Sequence, residues 1–163
     1  MIVFIFKRYC QYYSKLLNHF LFFKKFNILA PASCAIYGVE GISIKNNFSL
    51  GENCELYARK SPSLGAKIKI GSNVALNSNV IINAECGGSI EIGDNVIIGP
   101  ATMMRASNHN FRQSGVLIRN QGHSHGKIVI ESNVWIGANV TILPNVTIGK
   151  NSVIAAGSII IKD

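Results

Sequence analysis

The chain has 163 residues, of which 48% are hydrophobic and 15% charged, a balance that excludes a disordered or fibrous protein. At this length a chain buries roughly 70% of the surface it exposes when unfolded, so one domain is expected rather than two. Sixteen Lys and Arg against eight Asp and Glu leave a net charge of +8. No basic stripe continues past residue 35, which speaks against a nucleic-acid partner.

The first segment, residues 1–35, carries Lys7, Arg8, Lys15, Lys24 and Lys25 and no acid. Aromatic residues (Phe4, Phe6, Tyr9, Tyr12, Tyr13, Phe20, Phe22, Phe23, Phe26) are spaced among these cations, and no Gly or Pro interrupts them until Pro31. One or two short helices are expected. Two readings fit the segment: a helix that packs over the open end of the following domain, or a basic aromatic face of residues 1–29 lying on an anionic membrane surface. The apolar start Met1–Phe6 precedes its basic residues, the reverse of a secretory signal. No stretch has the composition of a span of ~20 apolar residues. His19, in the same segment, reads as a surface or packing residue.

Cys10, Cys34, Cys54 and Cys86 form no C-x-x-C pair, so a zinc knuckle or redox dithiol has no support. Free thiols in a reducing, cytoplasmic setting are expected, with contact to the inner face of the membrane under the second reading of residues 1–29.

From about Ile44 onward the sequence repeats. Ile130, Ile136, Ile142, Ile148, Ile154 and Ile160 recur every six residues, and earlier runs (Ile44, Leu50, Leu56; Ile70, Leu76, Ile82; Ile92, Ile98, Met104) follow the same period. Gly often follows the aliphatic residue, as at Gly51, Gly71, Gly93, Gly99, Gly137 and Gly149, and Asn usually stands three positions after it. Six steps of 100° would scatter the isoleucines over three faces of a helix, so a helix is excluded. The period suits a short strand followed by a corner, where Asn and Gly tolerate φ > 0. Three such sides close an 18-residue triangular coil, and stacked coils bury Ile on Ile. About five coils fit between residues 44 and 163. Phase slips between the runs mark protruding loops.

The segments IEIGDNVIIGP (90–100) and VWIGANVTILPNVTIGKNSVIAAGSIIIKD (134–163) resemble the hexapeptide-repeat acyltransferases, closest to sugar and polysaccharide O-acetyltransferases of the maltose and galactoside type. The resemblance implies an all-β fold, a left-handed parallel β-helix over residues 36–163 behind the N-terminal helical segment. The usual crossover rule would favour the opposite hand, so the handedness comes from the resemblance alone. It also implies a homotrimer with sites between subunits, acetyl-CoA as co-substrate, no metal, and a sugar or glycan acceptor. The resemblance implies a chain that continues past a KD such as Lys162–Asp163 into a G-N-P-A-like motif, which contributes to the CoA site and the coil cap and which this sequence lacks.

The repeat breaks most sharply over residues 105–127, a loop too long to be an ordinary connection. It holds His109, His123 and His125, three of the four histidines. His109 lies close to where the chain leaves the coil, and an imidazole there is suited to general-base work. The resemblance points to the same residue as the base that deprotonates the acceptor hydroxyl. His123 and His125 lie in a Gly-rich stretch that reads as a flexible, solvated loop or as one that contacts the acceptor. A three-histidine zinc site, as in a γ-type carbonic anhydrase, is the weaker reading. Asn79 matches the family's intermediate-holding asparagine, although it also occupies an ordinary corner slot. For acetyl-CoA the resemblance implicates Trp135, Gly137, Ala138 and Ala156, with Lys150 and Lys162 placed to meet phosphates. The expected activity is transfer of acetyl to a sugar hydroxyl of a surface-glycan precursor (capsule, lipopolysaccharide or exopolysaccharide). A xenobiotic acetyltransferase and a non-catalytic β-helix scaffold are the alternatives.

Overall fold

The computed structural model describes the backbone of residues 2–59 and 67–163 and, within these, the side chains from residue 12 onward. Of the N-terminal residues singled out above, Phe4, Phe6, Lys7, Arg8, Tyr9 and Cys10 therefore have side chains outside the described set.

Residues 2–26 form one continuous helix, α1 (Ile2–Phe26), rather than a pair of short ones. It ends where Asn27 takes a left-handed φ of 54° and donates its N–H back to the Phe23 carbonyl at 2.7 Å, a stop that asparagine allows at low cost. Phe22 is fully buried and meets Phe26 with ring centroids 5.0 Å apart. Lys25 Nζ donates to the carbonyls of Val39 (2.9 Å) and Ile42 (2.6 Å), and His19 Nε2 donates to the Cys34 carbonyl at 3.0 Å. One side of α1 thus packs on the first turns of the domain, which is the packing role expected of His19.

The rest of the chain is a parallel β-helix of triangular section. Its first face stacks β1 (Ala35–Tyr37), β4 (Glu55–Tyr57), β7 (Ile81–Asn83), β10 (Met103–Arg105), β15 (Thr141–Ile142) and β18 (Ile159–Ile160). The second stacks β2 (Ile42–Ile44), β5 (Lys67–Ile70), β8 (Ser89–Ile92), β13 (Lys127–Ile130) and β16 (Val146–Ile148), and the third β3 (Phe48–Leu50), β6 (Val74–Leu76), β9 (Ile97–Ile98), β14 (Trp135–Ile136) and β17 (Val153–Ile154). Each coil runs second face, third face, first face, and every ladder of these three faces is parallel. Ile128 pairs with Val146, the expected 18-residue step. Ile68 pairs with Ile90, four residues more, and the excess is the turn at Glu85–Gly88, with Cys86 and Gly87 at positive φ. That turn makes the stretch from Asn79 to Ile92 longer than the corresponding stretch from Asn139 to Ile148.

Inside the prism, Ile42, Ile68, Ile90, Ile128 and Val146 stack in register on the second face, and Ile36, Leu56, Ile82, Met104 and Ile142 on the first. All ten are at most 1% exposed, and each such side chain stabilises the fold by about 1.5–3 kcal/mol relative to exposure. The corner slot held by Val80 and Val140 is taken elsewhere by Cys34, Cys54 and Thr102. Each of these three donates to a corner carbonyl, of Gly51 (3.3 Å), Asn77 (2.9 Å) and Gly137 (2.9 Å) respectively. Burial pushes the Cys34 and Cys54 thiols above their ordinary value, which makes both poor nucleophiles.

Corner asparagines sit in the left-handed region with φ between 55° and 65°. Along the edge between the second and third faces they form a side-chain ladder: Asn47 to Asn73 (2.8 Å), Asn73 to Asn95 (2.9 Å) and Asn133 to Asn151 (2.8 Å).

Candidate active site

The long excursion leaves the edge between the first and second faces. Arg105 and Lys127 still belong to strands, and between them Ala106 is buried in the core. Beyond Ala106 the chain forms an antiparallel hairpin, β11 (Ser107–His109) with β12 (His123–His125), in the register Ser107–His125, Asn108–Ser124, His109–His123. His123 and His125 are therefore strand residues, not part of a loose glycine-rich loop. The N–H of Gly126 donates to the Ala106 carbonyl (2.9 Å), and the N–H of Ser89 to the Gly126 carbonyl (3.1 Å), which anchors the hairpin to the coil.

Cross-strand neighbours on one face of a hairpin come close, and the His109 and His123 ring centroids are 4.1 Å apart at 41°. His123 titrates below the ordinary histidine value, first through desolvation by the groups packed beside it, then through its proximity to His109 and Arg105. The tip beyond the pair is held by side chains. Asn110 Nδ2 donates to the Gln121 carbonyl (3.0 Å), and Gln121 Nε2 donates to the carbonyls of Gln113 (3.0 Å) and Val116 (2.8 Å). Between strands and tip lies an open hollow of about 500 Å³ lined by Asn108, His109, Asn110, Phe111, Gln121 and Ser124, among others. At the root of the hairpin the Ser107 hydroxyl is fully buried with no hydrogen-bond partner. Among the described residues, no three His, Cys, Asp or Glu side chains gather as a metal-holding group.

The other anticipated residues stand elsewhere. Asn79 (φ 62°) is at the edge between the third and first faces, where the N–H of Asn79 donates to Glu52, that of Ala101 to Ser78, that of Asn139 to Pro100 and that of Gly157 to Ala138. Gly137, Ala138 and Ala156 lie on this same edge. A Cβ on Gly137 would come within 2.6 Å of the Ala156 nitrogen, so only glycine lets these two coils approach. Trp135 begins β14 and points outward, 56% exposed, in register with exposed Ile97 and Val153. Lys150 is at the corner between the second and third faces, its backbone N–H donating to Glu131 Oε2 at 2.7 Å. Lys162 follows β18 at the end of the chain. The structure thus groups Asn79 with Gly137, Ala138 and Ala156 on one edge of the prism, and sets His109 on another.

Comparison with known proteins joins this geometry to a family. Residues 127–162 match the family described as bacterial transferase hexapeptide (six repeats). A hexapeptide-repeat-containing acetyltransferase from Vibrio cholerae is 32% identical over 89% of this chain and 68% of its own, with a TM-score of 0.52. The chain belongs to the hexapeptide-repeat acyltransferases. The left-handed sense of the coil goes with that membership.

In its complex with acetyl-CoA the Vibrio cholerae O1 biovar eltor acetyltransferase is 34% identical over 76% of this chain, with a TM-score of 0.61; the chain spans 63% of its length. A variant of AntD, an N-acyltransferase from Bacillus cereus bound to dTDP and coenzyme A, is 27% identical over 84% of this chain and 72% of its own, with a TM-score of 0.68. A maltose O-acetyltransferase from Clostridium difficile 630 is 30% identical over 76% of this chain and 62% of its own, with a TM-score of 0.61. No curated protein sequence matches.

Within this hexapeptide-repeat chain, sequence reasoning missed the pairing of His109 with His123. Its only trace is the short polar triplets SNH and HSH on either side of a glycine-containing stretch.

Proposed function

We propose that the chain transfers acetyl from acetyl-CoA to a sugar hydroxyl, with a surface-glycan precursor as the acceptor class. The observation that carries this reading is His109, exposed on a hairpin anchored in the rigid coil and facing a hollow large enough for a sugar ring. The relatives support it: two of them carry acetyl-CoA or CoA, one is named for maltose O-acetylation, and AntD is bound to dTDP.

His109 takes the proton of the acceptor hydroxyl, and the hydroxyl oxygen attacks the thioester carbonyl carbon. The tetrahedral oxyanion collapses with cleavage of the carbon–sulfur bond, and the proton held on His109 passes to the departing CoA thiolate. General-base assistance of this kind contributes roughly 10²–10⁴ in rate. His123, with its ring centroid 4.1 Å away, limits how the His109 ring can turn. Trp135, Gly137, Ala138 and Ala156 form the groove for the pantetheine arm, where small side chains expose backbone groups. Lys150 and Lys162 meet the phosphates, and Asn79, on the groove's edge, holds the oxyanion.

Because His109 and the groove lie on different edges of one prism, the complete site joins the hairpin of one subunit to the groove of the next. Such a head-to-tail contact closes into a ring, here a trimer, and the outward Ile97, Trp135 and Val153 supply apolar surface for the contact. A cytoplasmic setting, where acetyl-CoA and sugar precursors meet, completes the reading.

AntD favours one variant of this reading, an amine on the sugar as the acceptor. Free-thiol release from acetyl-CoA, with a panel of sugars, amino sugars and nucleotide sugars, tests both. Acceptor-dependent release that falls at least about a hundredfold in His109→Ala, at unchanged melting temperature, is expected. Release unaffected by that substitution would sink the base assignment.

A further inference from the structure

We propose that α1 docks the protein on an anionic lipid bilayer, lying flat in the interface. The helix is apolar on two opposite sides. Phe22 and Phe26 face the β-helix and close its end. At 100° per residue the opposite side carries Tyr13, Leu16, Leu17 and Phe20, which are 63%, 49%, 56% and 60% exposed, and Phe23, 45% exposed, flanks it. A helix that only caps a domain needs one apolar side, and its outer face is ordinarily polar. A contiguous run of large apolar side chains in water marks an interaction surface.

Charge decides the occupant. Residues 1–35 hold five cations and no acid, and the first acid in the chain is Glu40. Lys25 is spent on the Val39 and Ile42 carbonyls, whereas Lys24 lies within the exposed arc. A second copy of the same helix would set cation against cation. An anionic membrane surface meets both features, since apolar burial and attraction of Lys and Arg to acidic headgroups act together on interfacial helices. Among the described residues no helix is long and apolar enough to cross a membrane. At 1.5 Å per residue α1 is about 37 Å long, enough to hold the domain at the surface along one side.

The test is co-sedimentation of the full chain with vesicles of phosphatidylcholine alone and of phosphatidylcholine with about one third phosphatidylglycerol, at about 0.1 M and 0.5 M salt. Binding to the anionic vesicles is expected, several-fold weaker at the higher salt and on the zwitterionic vesicles. The double variant Leu17→Ser/Phe20→Ser should lose at least tenfold of the binding, and Lys24→Gln a few-fold. Both variants alter exposed positions only, so an unchanged melting temperature certifies that the folded protein is being compared. Failure of the wild type to bind anionic vesicles at low salt, or binding undiminished in the double variant, overturns the proposal. So does lipid-free sedimentation in which the double variant forms a smaller oligomer while vesicle binding is unchanged, which would give this face to a second copy. None of these outcomes depends on acetyl transfer.

Discussion

Ala101 breaks the corner pattern and offers a direct test of it. On the edge between the third and first faces the slot reads Asn53, Asn79, Ala101, Asn139, with φ of 55°, 62°, 57° and 55°. The backbone conformation is the same at all four, and the Ala101 N–H makes its corner bond to Ser78 at 3.0 Å. For an L-residue other than Gly or Asn the left-handed region costs roughly 1–2 kcal/mol. Asparagine removes part of that cost, so Ala101→Asn should stabilise by about 0.5–1 kcal/mol. For a chain of this size that corresponds to a rise of about 1–4 °C in melting temperature. Ala101 is exposed, and no packing term confuses the result. Ala101→Gly relieves the same strain but frees the unfolded chain, which offsets about 0.4–1 kcal/mol, so it should fall at or below the Asn variant. Asn139→Ala, one coil up, should lose what Ala101→Asn gains. Thermal unfolding of the three variants at one protein concentration reads these differences. A lower melting temperature for Ala101→Asn, or shifts of the same sign in Ala101→Asn and Asn139→Ala, would refute the corner argument.

Gly137→Ala and Gly93→Ala drive a Cβ into backbone of the next coil, at 2.6 Å from the Ala156 nitrogen and 2.7 Å from the Ser132 nitrogen. Each should cost about 1–3 kcal/mol in denaturant unfolding, but only Gly137→Ala should also raise KM for acetyl-CoA. His123→Gln tests the hairpin by pH. Because His123 in the folded chain titrates below its ordinary value of 6.5, the native state binds fewer protons than the unfolded one as pH falls through that value. Stability from this site is therefore present above about pH 6.5 and lost on acidification, so the variant should show a flatter loss of melting temperature between about pH 6.5 and 5. Finally, His109→Ala and Ala156→Arg subunits, each inactive alone, should recover acceptor-dependent thiol release when co-assembled. Absence of recovery in verified mixed trimers would place the whole site in one chain.

The coil was legible because a six-residue period has a single geometric meaning. Each of the isoleucines from Ile130 to Ile160 marks one side, and the asparagines mark corners whose φ is positive as anticipated. The broken phase after Met104 located the excursion. What the period could not carry was the excursion's own structure. Strands such as Ser107–His109 and His123–His125, three residues long and mostly exposed, leave no alternating apolar trace. Their pairing is fixed instead by polar contacts, such as Asn110 to Gln121, that no spacing announces. Thr102 and the two buried cysteines escaped for a related reason: each replaces a valine of similar size and satisfies its polar atom on a carbonyl one coil away.

The same geometry explains why chemistry on this fold must sit outside the coil. Each side is about three residues long, and the prism interior is filled by stacked Ile, Leu and Val side chains that are essentially without exposure. Packing at that density leaves no room for two substrates. A site therefore needs walls from somewhere else, and the hairpin, anchored at Ala106 and Gly126, supplies one of them. Nothing in a single prism lets an edge fold back upon another edge, so on the proposed reading the second wall must come from a neighbouring subunit. A substitution that weakens subunit contact without touching His109 or the acetyl-CoA groove, such as Val153→Glu on the outward third face, should then abolish acetyl transfer and release monomers together. Active monomers in that variant would show that one chain closes the site by itself.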